Sequence, residues 1–256
     1  MNQAKRGTNT IADEGRSGFS EWRPPLPGPL LLWRRGRSNR RLVLVSSARI
    51  RLLAFLLVIS ASAFAREAQI VVGARAPALE QYAAAELQRY LYALTGDLLP
   101  ICTDEAPLNK DSFVLGQKAT NRRIREFVAA GAFTVDEADP GEQGYVLKRL
   151  PGKRTLGLRR PDLLAIAGSD SVGTLYGVYG LLADHYHVGF YLDGDVIPQN
   201  RSALVMAPVD ERKKPLQSVR GILPWVNFLE SATVYSFEDY RFIIDQMARM
   251  RMNLLN

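Results

Sequence analysis

The chain is poor in residues that bind metals or form crosslinks: its 256 residues include one cysteine and two histidines. Cys102 has no partner, which excludes an internal disulfide and any cysteine-built metal site. It follows the apolar run 98–101 and reads as a small buried hydrophobe. His185 and His187 flank Tyr186 at a helix end with no third or fourth ligand beside them, so a helix-terminal role is expected and metal binding is not. Nothing in the sequence calls for a metal or a cofactor. A spanning segment is also missing, because the longest uncharged apolar run, 52–64, falls well short of the roughly 20 residues needed.

Excess charge is lacking where it would matter most. The net charge is +7, but residues 1–65 hold eleven Lys/Arg against three Asp/Glu, which leaves −1 for residues 66–256. A basic leader on a near-neutral body removes the main support for a nucleic-acid partner. The hydrophobic share of 47% and charged share of 23% are those of a globular chain.

The leader is organised for export. Arg49 and Arg51 form a positive flank, 52–64 is the apolar core, and Ala63, Phe64 and Ala65 supply a small-x-small cleavage pattern. Residues 49–65 are therefore expected to be a signal peptide cut after Ala65, leaving no stable membrane anchor and a periplasmic or extracellular product. Residues 1–48 are rich in Arg, Pro and Gly and have no amphipathic period. They read either as a mis-called start, with translation beginning near Val43 or Val45, or as a disordered basic arm.

From Gln69 the pattern becomes regular. A short strand at 69–72 is ended by Gly73, and Pro77 then opens a helix, where its missing N–H costs nothing. Leu79, Ala83, Leu87, Tyr90, Leu91 and Leu94 recur on one helical face, and Gly96 is placed to cap its C-terminus. Strands are expected at 98–102, 113–115 and 145–150, with a modest helix over 121–130. The continuous apolar run 163–167 reads as a central strand buried on both sides. Residues 168–171 then cap a second strong helix reaching Tyr186. Asp193 and Asp195 fall in a turn after a strand at 190–192. These elements predict an α+β fold, a two-layer sandwich of one sheet with two main helices, over residues 67–200. Residues 199–217, with two prolines and the charge cluster 210–214, read as a connector. Beyond it, a strand at 218–222, a loop, a helix opened by a capping box at Ser236 and Asp239, and a strand at 253–255 predict the first βα unit of an incomplete (β/α) barrel over 218–256.

Five groups of residues carry a family resemblance. Residues 84–91, ending in Thr95 and Gly96, then 144–147, 167–170 and 173–178, together resemble the accessory domain preceding the barrel in α-glucuronidases and β-hexosaminidases. The stretch Arg220 with Trp225 and Asn227 is similar in spacing to the opening of the α-glucuronidase barrel, departing from it at Pro224 and Val226. The resemblance implies an exported α-glucuronidase-like glycoside hydrolase active in xylan-type side-chain breakdown, with an oligo- or polysaccharide substrate and with Arg220, Trp225 and Asn227 lining the sugar pocket. An indole offers a flat apolar face to a pyranose, a carboxamide both donates and accepts, and a guanidinium grips a carboxylate bidentately. Glycoside hydrolysis needs two carboxyl groups beside the scissile bond, and barrel enzymes take them from later strands. No catalytic residue is therefore assigned in this chain, and the fragment itself is expected to be inactive. The alternatives are a β-hexosaminidase-like fragment or a non-catalytic exported module that binds carbohydrate or acts as a scaffold.

Overall fold

The computed structural model describes residues 68–152, 154–155, 158–199, 202–223 and 234–255. The leader with its expected cleavage site, and two of the expected pocket residues, Trp225 and Asn227, lie outside the described residues.

Strand β1 (Ala68–Val72) leads into helix α1 (Ala78–Thr95), and β2 (Ile101–Thr103) returns parallel to β1. Strand β3 (Asp111–Gln117), helix α2 (Arg122–Ala129), strand β4 (Tyr145–Leu150) and a small hairpin of β5 (Arg154–Thr155) and β6 (Leu158–Arg159) follow. Then come β7 (Leu163–Gly168), α3 (Ser171–Tyr186), and a hairpin of β8 (Gly189–Tyr191) and β9 (Gly194–Val196). The remaining elements are β10 (Asp210–Lys213), β11 (Gly221–Ile222), α4 (Phe237–Arg249) and β12 (Leu254–Leu255).

Six strands form one mixed sheet in the order β10-β4-β7-β3-β1-β2. The pairs from β2 to β7 are parallel, whereas β4 alone is reversed and pairs antiparallel with both β7 and β10. The central strands β1, β3 and β7 are apolar on both faces because both faces are covered. Ile70, Val72, Phe113, Leu115, Leu164 and Ile166 pack with α1 and α3 in the main core. Val71, Val114, Ala165 and Ala167 point the other way, against Ile124 of α2 and Val135. The mixed α/β class and the two long helices match the sequence reading. The two-layer description needs correcting, since α2 and the segment around Val135 form a partial third layer.

Local signals act as their chemistry requires. Gly96 caps α1 at φ 86° and donates its N–H to the Tyr92 carbonyl. The Asp170 side chain caps α3 by accepting from the Gly173 N–H at 2.6 Å. Ser236 and Asp239 exchange both capping-box hydrogen bonds at the start of α4. His187 ends α3 in the left-handed region at φ 58°, and His185 lies 3.2 Å from Glu211.

The expected connector departs most from the sequence reading. Residues 210–213 are the sheet's edge strand β10, in antiparallel register with β4. An edge strand pairs through its backbone and tolerates charge on every side chain, so a run of Asp, Glu, Arg and Lys can be strand as readily as loop. Lys213 reaches back to Asp184 of α3 at 2.7 Å. Met206, Ala207 and Val209 of the same segment are buried in the main core.

The last elements form a β-α-β unit, with β11 and β12 paired parallel and joined by α4. Its sequence face of Tyr240, Ile243, Ile244, Met247 and Met250 is only partly used. Met247 is buried, but Ile244 is 52% exposed and Phe237 76%. The fully buried polar neighbour is Gln246, which donates to the Tyr191 carbonyl at 2.9 Å. No described helix is long and apolar enough to cross a membrane.

Candidate functional site

The one expected site residue within the described region, Arg220, stands immediately before β11. Its neighbours come from the turn between α4 and β12, from the loop before β4 and from α3. Backbone bonds set this position, because its carbonyl accepts from the N–H groups of Asn253 and Leu254 and its own N–H donates to Asn253 Oδ1 at 2.9 Å. The guanidinium donates from Nε to the Arg251 carbonyl at 2.8 Å and from Nη1 to the Gln217 carbonyl at 2.6 Å. From Nη2 it donates to Gln143 Oε1, also at 2.6 Å. Its carbon lies 5.6 Å from the centre of the Tyr176 ring.

Arg220 is thus a tie between the first sheet and the β-α-β unit. Its acceptors are neutral, and no carboxylate pairs with it among the described residues. Trp225 and Asn227 follow β11 in the chain, whereas Arg220 precedes it. The structure therefore brings Arg220 together with Gln143, Tyr176 and Arg251, a set that sequence reasoning missed. Gln143 lies 77 positions away, and its only local mark is the left-handed φ of 57° that its loop imposes.

Around the guanidinium lies a recess of about 290 Å³ lined by Gln143, Tyr145, Tyr176, Lys214, Arg220 and Arg251. Three cations and no carboxylate line it. Arg251 donates to the Tyr145 hydroxyl at 3.1 Å, and Tyr176 donates its own to the Met252 carbonyl at 3.0 Å. Burial pushes both phenols above their ordinary range, against the opposing pull of Arg251 on Tyr145 and of Arg220 on Tyr176. Both remain neutral hydroxyls at neutral pH. The recess can receive a negatively charged or oxygen-rich group, with the guanidinium and ammonium donors supplying charge and the phenols supplying shape.

A second polar cluster joins the same two parts of the chain. Glu86 of α1 accepts from the Tyr179 hydroxyl at 2.9 Å and from Arg89 at 2.9 and 3.0 Å, with Arg249 of α4 at 3.7 Å. Asp195 accepts from the Tyr90 hydroxyl at 2.5 Å and stands 3.8 Å from Arg249. Asp195, expected only as a turn residue, is therefore a clamp on α4. Burial, with the Glu86 carboxylate next, drives the Tyr179 phenol far above its ordinary value, and burial with the Asp195 bond does the same to Tyr90.

Neither a family model nor a curated protein sequence matches the chain. Among solved structures it is similar to a family-115 glycoside hydrolase, described as a 4-O-methyl-α-glucuronidase with specificity for decorated arabinogalactans. The TM-score is 0.44 and the identity 16%, over 73% of this chain and 24% of that one. The chain thus spans about a quarter of that protein's length. A likeness at this level assigns neither fold nor activity.

Proposed function

We propose that this chain is the accessory domain and barrel opening of an exported α-glucuronidase-like glycoside hydrolase, taking the sugar acids of polysaccharide side chains as ligands. The observation that carries the reading is the recess at Arg220, where three cations converge with no carboxylate among the described lining residues. A uronate carboxylate supplies that missing charge, and its hydroxyls match the neighbouring amide and phenols. The parallel β11–α4–β12 unit leaves Phe237, Phe242, Ile244 and Leu254 exposed. Apolar residues so placed fit a unit that continues into a larger parallel sheet. Trp225 and Asn227, which follow β11 in the chain, are assigned to the sugar face of the pocket, and the catalytic carboxylates to later strands.

Calorimetric titration of the whole chain with glucuronate and with glucose tests this. Glucuronate is expected to bind more tightly, and Lys214→Ala and Arg220→Ala to weaken it by roughly 10- to 150-fold, the equivalent of about 1.5–3 kcal/mol for a charge-assisted contact. Lys214 makes no hydrogen bond among the described residues, so its replacement leaves the described junction intact. Equal binding of the two sugars, or glucuronate binding indifferent to Lys214, refutes the assignment. Polysaccharide cleavage by the chain alone would also count against it, because the reading places no catalytic residue here.

A further inference from the structure

A cavity of about 630 Å³ lies apart from the Arg220 recess. It opens at the carboxyl ends of β3 and β7, where the chain leaves the sheet in opposite directions. After β3 it turns to α2 on one face, and after β7 to α3 on the other. Loops that diverge at neighbouring parallel strands open a crevice at their carboxyl ends, the place where open α/β sheets bind ligands. The volume is also within the range of small-molecule pockets.

The walls hold polar groups that the fold leaves unused. Gln117 spends its amide donors on Glu80 Oε1 at 2.6 Å and Ser171 Oγ at 2.9 Å, which leaves its carbonyl oxygen free to accept. Glu80, fully buried, is held in place by Thr120 Oγ1 at 2.7 Å and so fixes which way the Gln117 amide faces.

The charges at the rim balance. Lys118 and Arg125 stand against Asp136 and Glu137. Among the described residues neither cation is in an ion pair. Oδ1 of Asp136 accepts from the N–H groups of Ala138 and Asp139, each at 2.9 Å. These bonds, with a lesser contribution from Lys118, hold it below the ordinary carboxylate range. A ligand of either charge meets as much repulsion as attraction here. A neutral molecule rich in hydroxyls finds donors in Lys118 and Arg125 and acceptors in Gln117 and Glu137.

We infer that this crevice is a second ligand site, separate from the Arg220 recess, and that it takes a neutral, hydroxyl-rich molecule of the saccharide class. It rests on the cavity and its unpaired groups and stands whether or not Arg220 binds a uronate. The test is titration of the full chain with xylose, followed by saturation-transfer NMR, with glucuronate and inorganic phosphate as charged comparators. Xylose is expected to bind, and the double variant Lys118→Ala with Glu137→Ala to weaken it by roughly tenfold. Lys118 and Glu137 are exposed, so the variant is expected to fold. Absence of saturation transfer, or xylose binding unchanged in this variant, overturns the inference. So does tighter binding of glucuronate or phosphate that is lost with Lys118.

Discussion

Replacing Glu86 by alanine tests whether the polar cluster at the α1–α4 contact holds the two parts of the chain together. The Glu86 carboxylate is 7% exposed and serves three groups at once. The Arg89 side chain is 47% exposed, so its pairing is screened and contributes little. The Tyr179 hydroxyl is buried and bonded to a charge, a contact worth about 1.5–3 kcal/mol, and Glu86→Ala removes that charged acceptor. Arg249, only 15% exposed, keeps Asp195 as its remaining carboxylate, 3.8 Å away. The expected loss is about 3 kcal/mol, within the range for breaking a buried pair from one side. At about 2–4 °C per kcal/mol this lowers Tm by roughly 6–12 °C. Urea unfolding of Glu86→Ala, Tyr179→Phe and the double variant measures both the loss and the coupling. The coupling is expected to reach about 1 kcal/mol, as for residues in direct contact. A Glu86→Ala protein within about 0.5 kcal/mol of the parent, or a coupling of zero, refutes the reasoning.

Two further outcomes follow from the packing around Tyr145 and from the buried phenols. A Cβ on Gly180 would lie 2.2 Å from the Tyr145 hydroxyl. Gly180→Ala is therefore expected to lose about 1–2 kcal/mol by displacing that ring, despite alanine's better helix propensity, and a thermal melt showing stabilisation would contradict this. Tyr90, Tyr179 and Tyr186 have folded-state values raised by burial, Tyr186 to about 12, above the ordinary value of 10. Their contribution to stability is fully present below pH 10 and is lost as pH rises from 10 through the folded values. Absorbance titration is expected to show these phenols ionising late and together with unfolding; ionisation near pH 10 with the fold intact would exclude the effect.

What could be read from the sequence was whatever local periodicity determines. The six-residue apolar face of α1, its Gly96 cap, and the capping box at Ser236 each depend on residues within four positions of one another. The apolar run of β7 announced a central strand for the same reason. Strand β10 was hidden because edge pairing is a backbone property and its side chains carry only charge. On α4, periodicity marked a face but not its partner, and packing chose Gln246 and Met247 over Ile244. At the site, Arg220 stood out by resemblance. Its acceptors, Gln143 and the Arg251 carbonyl, are set by tertiary packing and leave no mark at that distance in sequence.

The position of β10 has a consequence for biosynthesis. The strand that closes the edge beside β4 is encoded after every other strand of the same sheet. A ribosome must pass Lys213 before Tyr145–Leu150 finds its second neighbour, and Met206 and Val209 reach the core only in the same interval. Until then the nascent sheet presents an open edge to whatever else is being threaded or folded nearby. The segment that looked like a tether between two units is therefore the step that seals the first, and a version of the domain ended at residue 200 would carry that open edge permanently.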